Sequence, residues 1–280
     1  MTNPFSILKS PGSKGWFIGH AERFIQEQKA NTVIEPFAGS AVVGLTLLDR
    51  GYAKRLVLAE RDTELLQFWR TALSDADFAR RVRTWTHKFW GVRAEERQEF
   101  ALDSIARMKQ TDQAFSVLLR SRFGFNGILR EGGIVATNHS LRNCWPLDLG
   151  TRLKFLYDTR SKIELFSDAF EALRSGDRHD SYAFVDPPYS AGARSPGHKL
   201  YRTSHVEHEQ LIRFLANWTG SWQLTSEFCP EILRFLRQVC PEPPIEQYVA
   251  PMRTVMGRQK MELVLSRGQL NVRKAVLGAR

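Results

Sequence analysis

The stretch Thr32-Val-Ile-Glu-Pro-Phe-Ala-Gly-Ser-Ala-Val-Val-Gly-Leu-Thr-Leu-Leu48, followed by Arg55-Leu-Val-Leu-Ala-Glu60, decides how this chain folds. Thr32 to Glu35 is a short apolar run that reads as a strand. Pro36 to Ser40 is a turn of small residues. Val42 onward is apolar on every side, which suits a buried helix ending near Gly51. Arg55 to Glu60 is a second buried strand. Strand, helix and strand in this succession form a βαβ unit, the mark of a parallel sheet.

Upstream, Phe17, Ile18, Ala21, Phe24 and Ile25 recur at helical spacing, behind a glycine-bearing loop that carries Lys9 and Lys14. Downstream, residues 62–120 are helical, polar and rich in arginine, with no strand. Asn126-Gly127 and Gly132-Gly133 are hairpin signals within 121–147. A helix at Leu149–Tyr157 and a strand at Lys162–Phe166 follow. The apolar run Tyr182–Val185 comes next, then a helix at Val206–Trp218, a strand at Trp222–Thr225 and a helix at Pro230–Val239. Gln247–Ala250 and Met261–Ser266 are closing strands joined too briefly for a helical crossover, so they pair antiparallel. The expected architecture is α/β, a mostly parallel sheet interrupted after its second strand by a basic insertion. Residues 1–60 and 160–280 form one discontinuous domain around an inserted domain at 61–159.

Seven Trp and eighteen Phe in 280 residues supply large packing units for a core of this size. No run of about 18 apolar residues is present, so no membrane span is expected. The first residues lack a charged segment followed by an apolar one, so no secretory signal is expected. Cys144, Cys229 and Cys240 lie far apart, form no metal-binding spacing, and suit free thiols in a reducing cytoplasm. His205 and His208 lack a third ligand, so no metal site is expected. A net charge of +10 and a pI near 9.8 favour a polyanionic partner, DNA or RNA.

Chemistry concentrates at four places. Tyr182-Ala-Phe-Val-Asp-Pro-Pro-Tyr-Ser190 runs a strand into a rigid turn. Pro187 and Pro188 fix the backbone and remove two donors. Asp186 and Tyr189 are thereby held at the mouth of the strand, where a carboxylate can accept from an exocyclic amine and a ring can stack on a base. The turn Glu35, Phe37, Ala38, Gly39, Ser40 lets a ligand approach the backbone, and Glu60 at the end of the second strand suits ribose hydroxyls. Asp168 follows the third strand, so four acids fall at the carboxyl edge of the sheet, where open α/β folds bind ligands. Finally, Arg120-Ser-Arg-Phe-Gly-Phe-Asn-Gly-Ile-Leu-Arg130 interleaves arginines with aromatics, a pattern for phosphate contact and base-stack insertion on a hairpin.

In this order these motifs resemble the Dam-type, alpha-group (D12 class) DNA adenine-N6 methyltransferases, over residues 5 to 266. The resemblance implies a Rossmann-like class I methyltransferase sheet, S-adenosylmethionine as cofactor, and a helical and hairpin insertion that reads double-stranded DNA. It implies base-gripping roles for Asp186, Pro187, Pro188 and Tyr189. Lys14, Glu35, Phe37, Ala38, Gly39, Ser40, Glu60, Asp168 and Asp186 match the cofactor side. Arg122, Phe125, Asn126, Ile128 and Arg130 match the DNA-reading side. A bacterial or phage origin is implied, with a cognate restriction endonuclease as a functional counterpart. The chain departs from the family at Ser10, where an aromatic is frequent, and at Ala41, where a second glycine is usual. An RNA adenine methyltransferase and a catalytically idle nucleic-acid binder remain alternatives.

Overall fold

The computed structural model describes residues 4–10, 12–124, 144–188, 208–227, 230–239, 245–253 and 259–268. Seven strands form one sheet: β1 (Thr32–Glu35), β2 (Arg55–Ala59), β3 (Ile163–Phe166), β4 (Ser181–Val185), β5 (Ser221–Glu227), β6 (Ile245–Arg253) and β7 (Gln259–Arg267). Their spatial order is β3-β2-β1-β4-β5-β7-β6. The first five are parallel, β7 runs antiparallel to β5, and β6 antiparallel to β7. The brief β6–β7 connection forces that reversal, as its length predicts. The strand order turns back between β1 and β4, and such a switch point opens a crevice at the carboxyl ends of the strands.

Among the described residues the α-helices are α1 (Ile18–Glu27), α2 (Val42–Asp49), α3 (Thr63–Ser74), α4 (Phe78–Gly91), α5 (Arg97–Thr111), α6 (Gln113–Phe123), α7 (Leu149–Asp158), α8 (Ala169–Gly176), α9 (His208–Ala216) and α10 (Pro230–Val239). Among the described residues, α3 to α7 fill the interval between β2 and β3 without a strand that joins the sheet, as the periodicity predicts. Asp62 starts α3 by accepting from the backbone N–H groups of Glu64 and Leu65, and Asp112 starts α6 through Phe115. α8 does not stand out in the sequence, because eight residues are too few for a periodic pattern.

The two faces of the sheet feed two cores. Val33, Leu56, Leu58, Tyr182 and Phe184 point into one; Ile34, Val57, Ala59, Ala183 and Val185 point into the other. This is the alternation a pleated strand imposes. The first core continues without a break from α1 and α2 into α3 to α7, where Trp85, Phe89, Phe123 and Trp145 form an aromatic cluster. The second lies under α8, α9 and α10. No described helix is long and apolar enough to cross a membrane.

Candidate active site

Asp186 sits where β4 leaves the sheet. Every residue of β4 is buried, and Pro187 is buried beyond it, so the carboxylate is held by its own backbone. Lys14 Nζ lies 2.9 Å from each of its oxygens. Thr225 Oγ1 donates to Oδ1 at 2.7 Å. Thr225 comes from the neighbouring β5, whose register pairs Leu224 with Val185. A carboxylate offers about four lone-pair directions, and these contacts use three. Among the described residues one is left for a further donor, and Asp186 is 25% exposed while Lys14 is 4% exposed.

Lys14 reaches this position from the N-terminal segment. It precedes a short 3-10 turn, Gly15–Phe17, whose Phe17 stacks on Phe184 of β4 at 5.0 Å. Its ammonium also donates to the carbonyl of Gly12 at 3.1 Å. Thr225 is a site residue that sequence reasoning misses. It is one of several polar residues in Ser221–Glu227, so nothing in the sequence singles it out.

Glu35 ends β1 beside Asp186 and is buried. The Gly44 N–H donates to its Oε1. Burial pushes its pKa up to about 8; the Gly44 hydrogen bond opposes this and the Asp186 charge adds to it. At neutral pH its carboxyl is therefore largely protonated. Gly44 is packed closely here: a Cβ would stand 2.7 Å from Glu35 Oε1 and 2.5 Å from Leu56 Cδ1, so both side chains would have to shift to admit one.

Glu60 ties the ends of three strands together. Its Oε2 accepts from Gly39 N at 2.9 Å, its Oε1 accepts from Asp62 N at 2.8 Å, and its own N–H donates to the Phe166 carbonyl of β3 at 3.1 Å. Burial raises its pKa to about 7 against the pull of those backbone donors, with the Asp62 charge adding to the rise. The turn after β1 is pinned further by Ala38 N to the Ala59 carbonyl and by Trp69 Nε1 to the Gly39 carbonyl. Phe37 is half-buried against the second core, and Ala38 and Ser40 are buried. Gly39 has φ +48° and open space where a Cβ would project, so the turn presents bare backbone to a ligand.

Asp168 occupies the outer end of the row. It is exposed, and its Oδ1 accepts from Phe170 N and Glu171 N, which caps α8. Across β3, β2, β1 and β4 the carboxylates therefore run Asp168, Glu60, Glu35, Asp186 along one edge. Such a row offers oxygen acceptors to a ligand with hydroxyls or amines to donate.

Arg122 needs a correction. Placed by its neighbours on a DNA-facing hairpin, it lies inside α6, 4% exposed, with Nε donating to the Ile7 carbonyl at 2.6 Å and Nη2 to the Ser6 carbonyl. Arg120 is in the same helix and pairs with Glu64. Tyr189, Phe125, Asn126, Ile128 and Arg130 lie outside the described residues, as do His205, Cys229 and Cys240.

An open sheet in this strand order, with one antiparallel strand near its far edge and acids at its switch point, is the Rossmann-like sheet of a methyltransferase. The profile of the D12 class N6 adenine-specific DNA methyltransferases matches residues 10–233, most of the chain, and the chain belongs to that family. It is an enzyme of the methyltransferase type. A solved Escherichia coli chain assigned as a methyltransferase, yhhF, is 14% identical with a TM-score of 0.35, covering 93% of this chain and 91% of its own. No curated protein matches the chain.

Proposed function

We propose that the protein transfers a methyl group from S-adenosylmethionine to N6 of an adenine in duplex DNA. The observation that carries this reading is Asp186, at the switch point, gripped by Lys14 and Thr225 with, among the described residues, one acceptor direction free. The bound cofactor supplies an electrophilic methyl on a sulfonium. Glu60 beside the open backbone of Gly39 suits a ribose. Residues 61–159 are the target-recognition insertion, and residues 1–60 and 160–280 the catalytic part.

An adenine inside a duplex has to be turned out of the stack before its amine is reachable. Asp186 then accepts one amino hydrogen and the Pro187 carbonyl the other, while the ring of Tyr189 stacks on the base. Drawing both hydrogens away frees the nitrogen lone pair for direct displacement, and positioning provides most of the acceleration. The N–C bond forms as the S–C bond breaks, and the sulfur keeps the electron pair. N6 is left with one proton too many, and Asp186 is the adjacent, partly exposed group that relays it to water.

The test is mass spectrometry of nucleosides from unmethylated DNA incubated with protein and S-adenosylmethionine. N6-methyldeoxyadenosine is expected. Modification of RNA alone would replace the substrate in this reading, and no modified base on either would overturn it. Asp186→Ala is expected to abolish transfer and leave cofactor binding, read by calorimetry, largely intact. Undiminished turnover would remove Asp186 from its role.

A further inference from the structure

We propose that Arg122, with Ser121 and Arg152, is a positioning device that holds Lys14 against Asp186, so that the helices flanking residues 125–143 set the geometry of the reacting carboxylate. This rests on the reading of Asp186 given above. Three side chains from α6 and α7 grip one stretch of backbone near the N-terminus. Arg122 holds the carbonyls of Ser6 and Ile7. Arg152 of α7 donates to the Ser6 carbonyl at 2.9 Å. Ser121 brackets Lys9, donating to its carbonyl at 2.7 Å and accepting from its N–H at 2.8 Å. Every one of these contacts is to backbone, so the grip fixes the path of the chain whatever its side chains are.

Burying a guanidinium against neutral carbonyls is expensive, and here burial, with the Arg152 charge, brings Arg122 down to about 10. A solvent-exposed loop needs no such anchor. The gripped residues lead to Lys14, which meets Asp186 across 172 positions of sequence. At its other end the grip belongs to the last turn of α6, closed by Gly124 N on the Arg120 carbonyl, directly before residue 125. Any shift of that last turn is carried by Arg122 and Ser121 into the N-terminal segment and on to Lys14. The orientation of Asp186 is thereby tied to the position of that last turn.

Arg122→Lys and Ser121→Ala test this in the full chain, alone and combined with Lys14→Met. Each single variant is expected to lose about tenfold in kcat, with KM for S-adenosylmethionine changed far less. Added to Lys14→Met, neither is expected to slow the enzyme further, because both act through the same ammonium. Losses that multiply in the double variants would mark a merely structural role and overturn the proposal, as would unchanged kcat in both single variants. Tryptic cleavage after Lys14, measured without ligand well below the melting midpoint, gives a readout independent of turnover. Faster cleavage in Arg122→Lys and Ser121→Ala supports the grip, and unchanged protection overturns it. If the parent protein methylates nothing, the function proposed above fails while the cleavage result still decides the positioning role.

Discussion

Glu35 and Asp186 end neighbouring strands with the same functional group and meet opposite surroundings. Asp186 is met by an ammonium and a hydroxyl; Glu35 is met by a single backbone N–H inside the core. A carboxyl with a folded pKa of about 8 against an ordinary 4.5 binds its proton more tightly folded than unfolded. Its contribution to stability is complete below pH 4.5 and is lost as pH rises towards 8, by at most about 1.4 kcal/mol per pH unit. Glu35→Gln, which keeps a neutral side chain of the same shape, is expected to flatten that slope in urea unfolding between pH 5 and 8.5. A variant with the parent's slope would show that Glu35 is ionised in the folded protein. At this scale the acids at strand ends are legible in the sequence, because each needs only its own strand to be placed. Thr225 is not, because its partner is across the sheet. Asp168 shows a further limit: the carboxylate read as a ligand visibly caps α8, a helix too short to announce itself.

Within elements, the turn into α2 stores strain. Ala41 adopts φ +48° and ψ +30° as the residue before the helix, a left-handed conformation that costs a non-glycine residue about 1–2 kcal/mol. Glycine adopts this conformation without that cost. Ala41→Gly removes the strain and also about 0.8 kcal/mol of methyl burial, so it is expected to leave stability unchanged or slightly raised. Ala21→Gly, an equally buried methyl within α1, is expected to cost about 1–2 kcal/mol. Equal losses at the two sites in denaturant titrations would show that the Ala41 backbone is not strained. The α6 arginines show why element identity is less legible than element position. Alternating Arg and Phe fits both a hairpin rim and the last turn of a helix, and burial against the N-terminal segment decides between them.

Across the whole molecule, one core joins the sheet to α3–α7. Trp145 stacks on Phe123 with 5.5 Å between centroids, lies 4.5 Å from Trp85 and donates to Thr86 Oγ1 at 2.9 Å. Trp145→Ala is expected to cost about 3–5 kcal/mol. Because that core is continuous, the far-ultraviolet and tryptophan signals are expected to shift together in a single transition. Two separated transitions would mean that the helices unfold independently of the sheet. The sequence by itself determined the βαβ opening, the helical run of residues 62–120, the antiparallel close and the acids at four strand ends. Each of these follows from the periodicity or turn chemistry of adjacent residues. Only the tertiary structure decided the order β3-β2-β1-β4-β5-β7-β6, the union of Lys14, Asp186 and Thr225, and the burial of Arg122 beneath Ser6 and Ile7. Those contacts join residues far apart in the chain, and their energy depends on which strands lie side by side and on how much water is excluded between them.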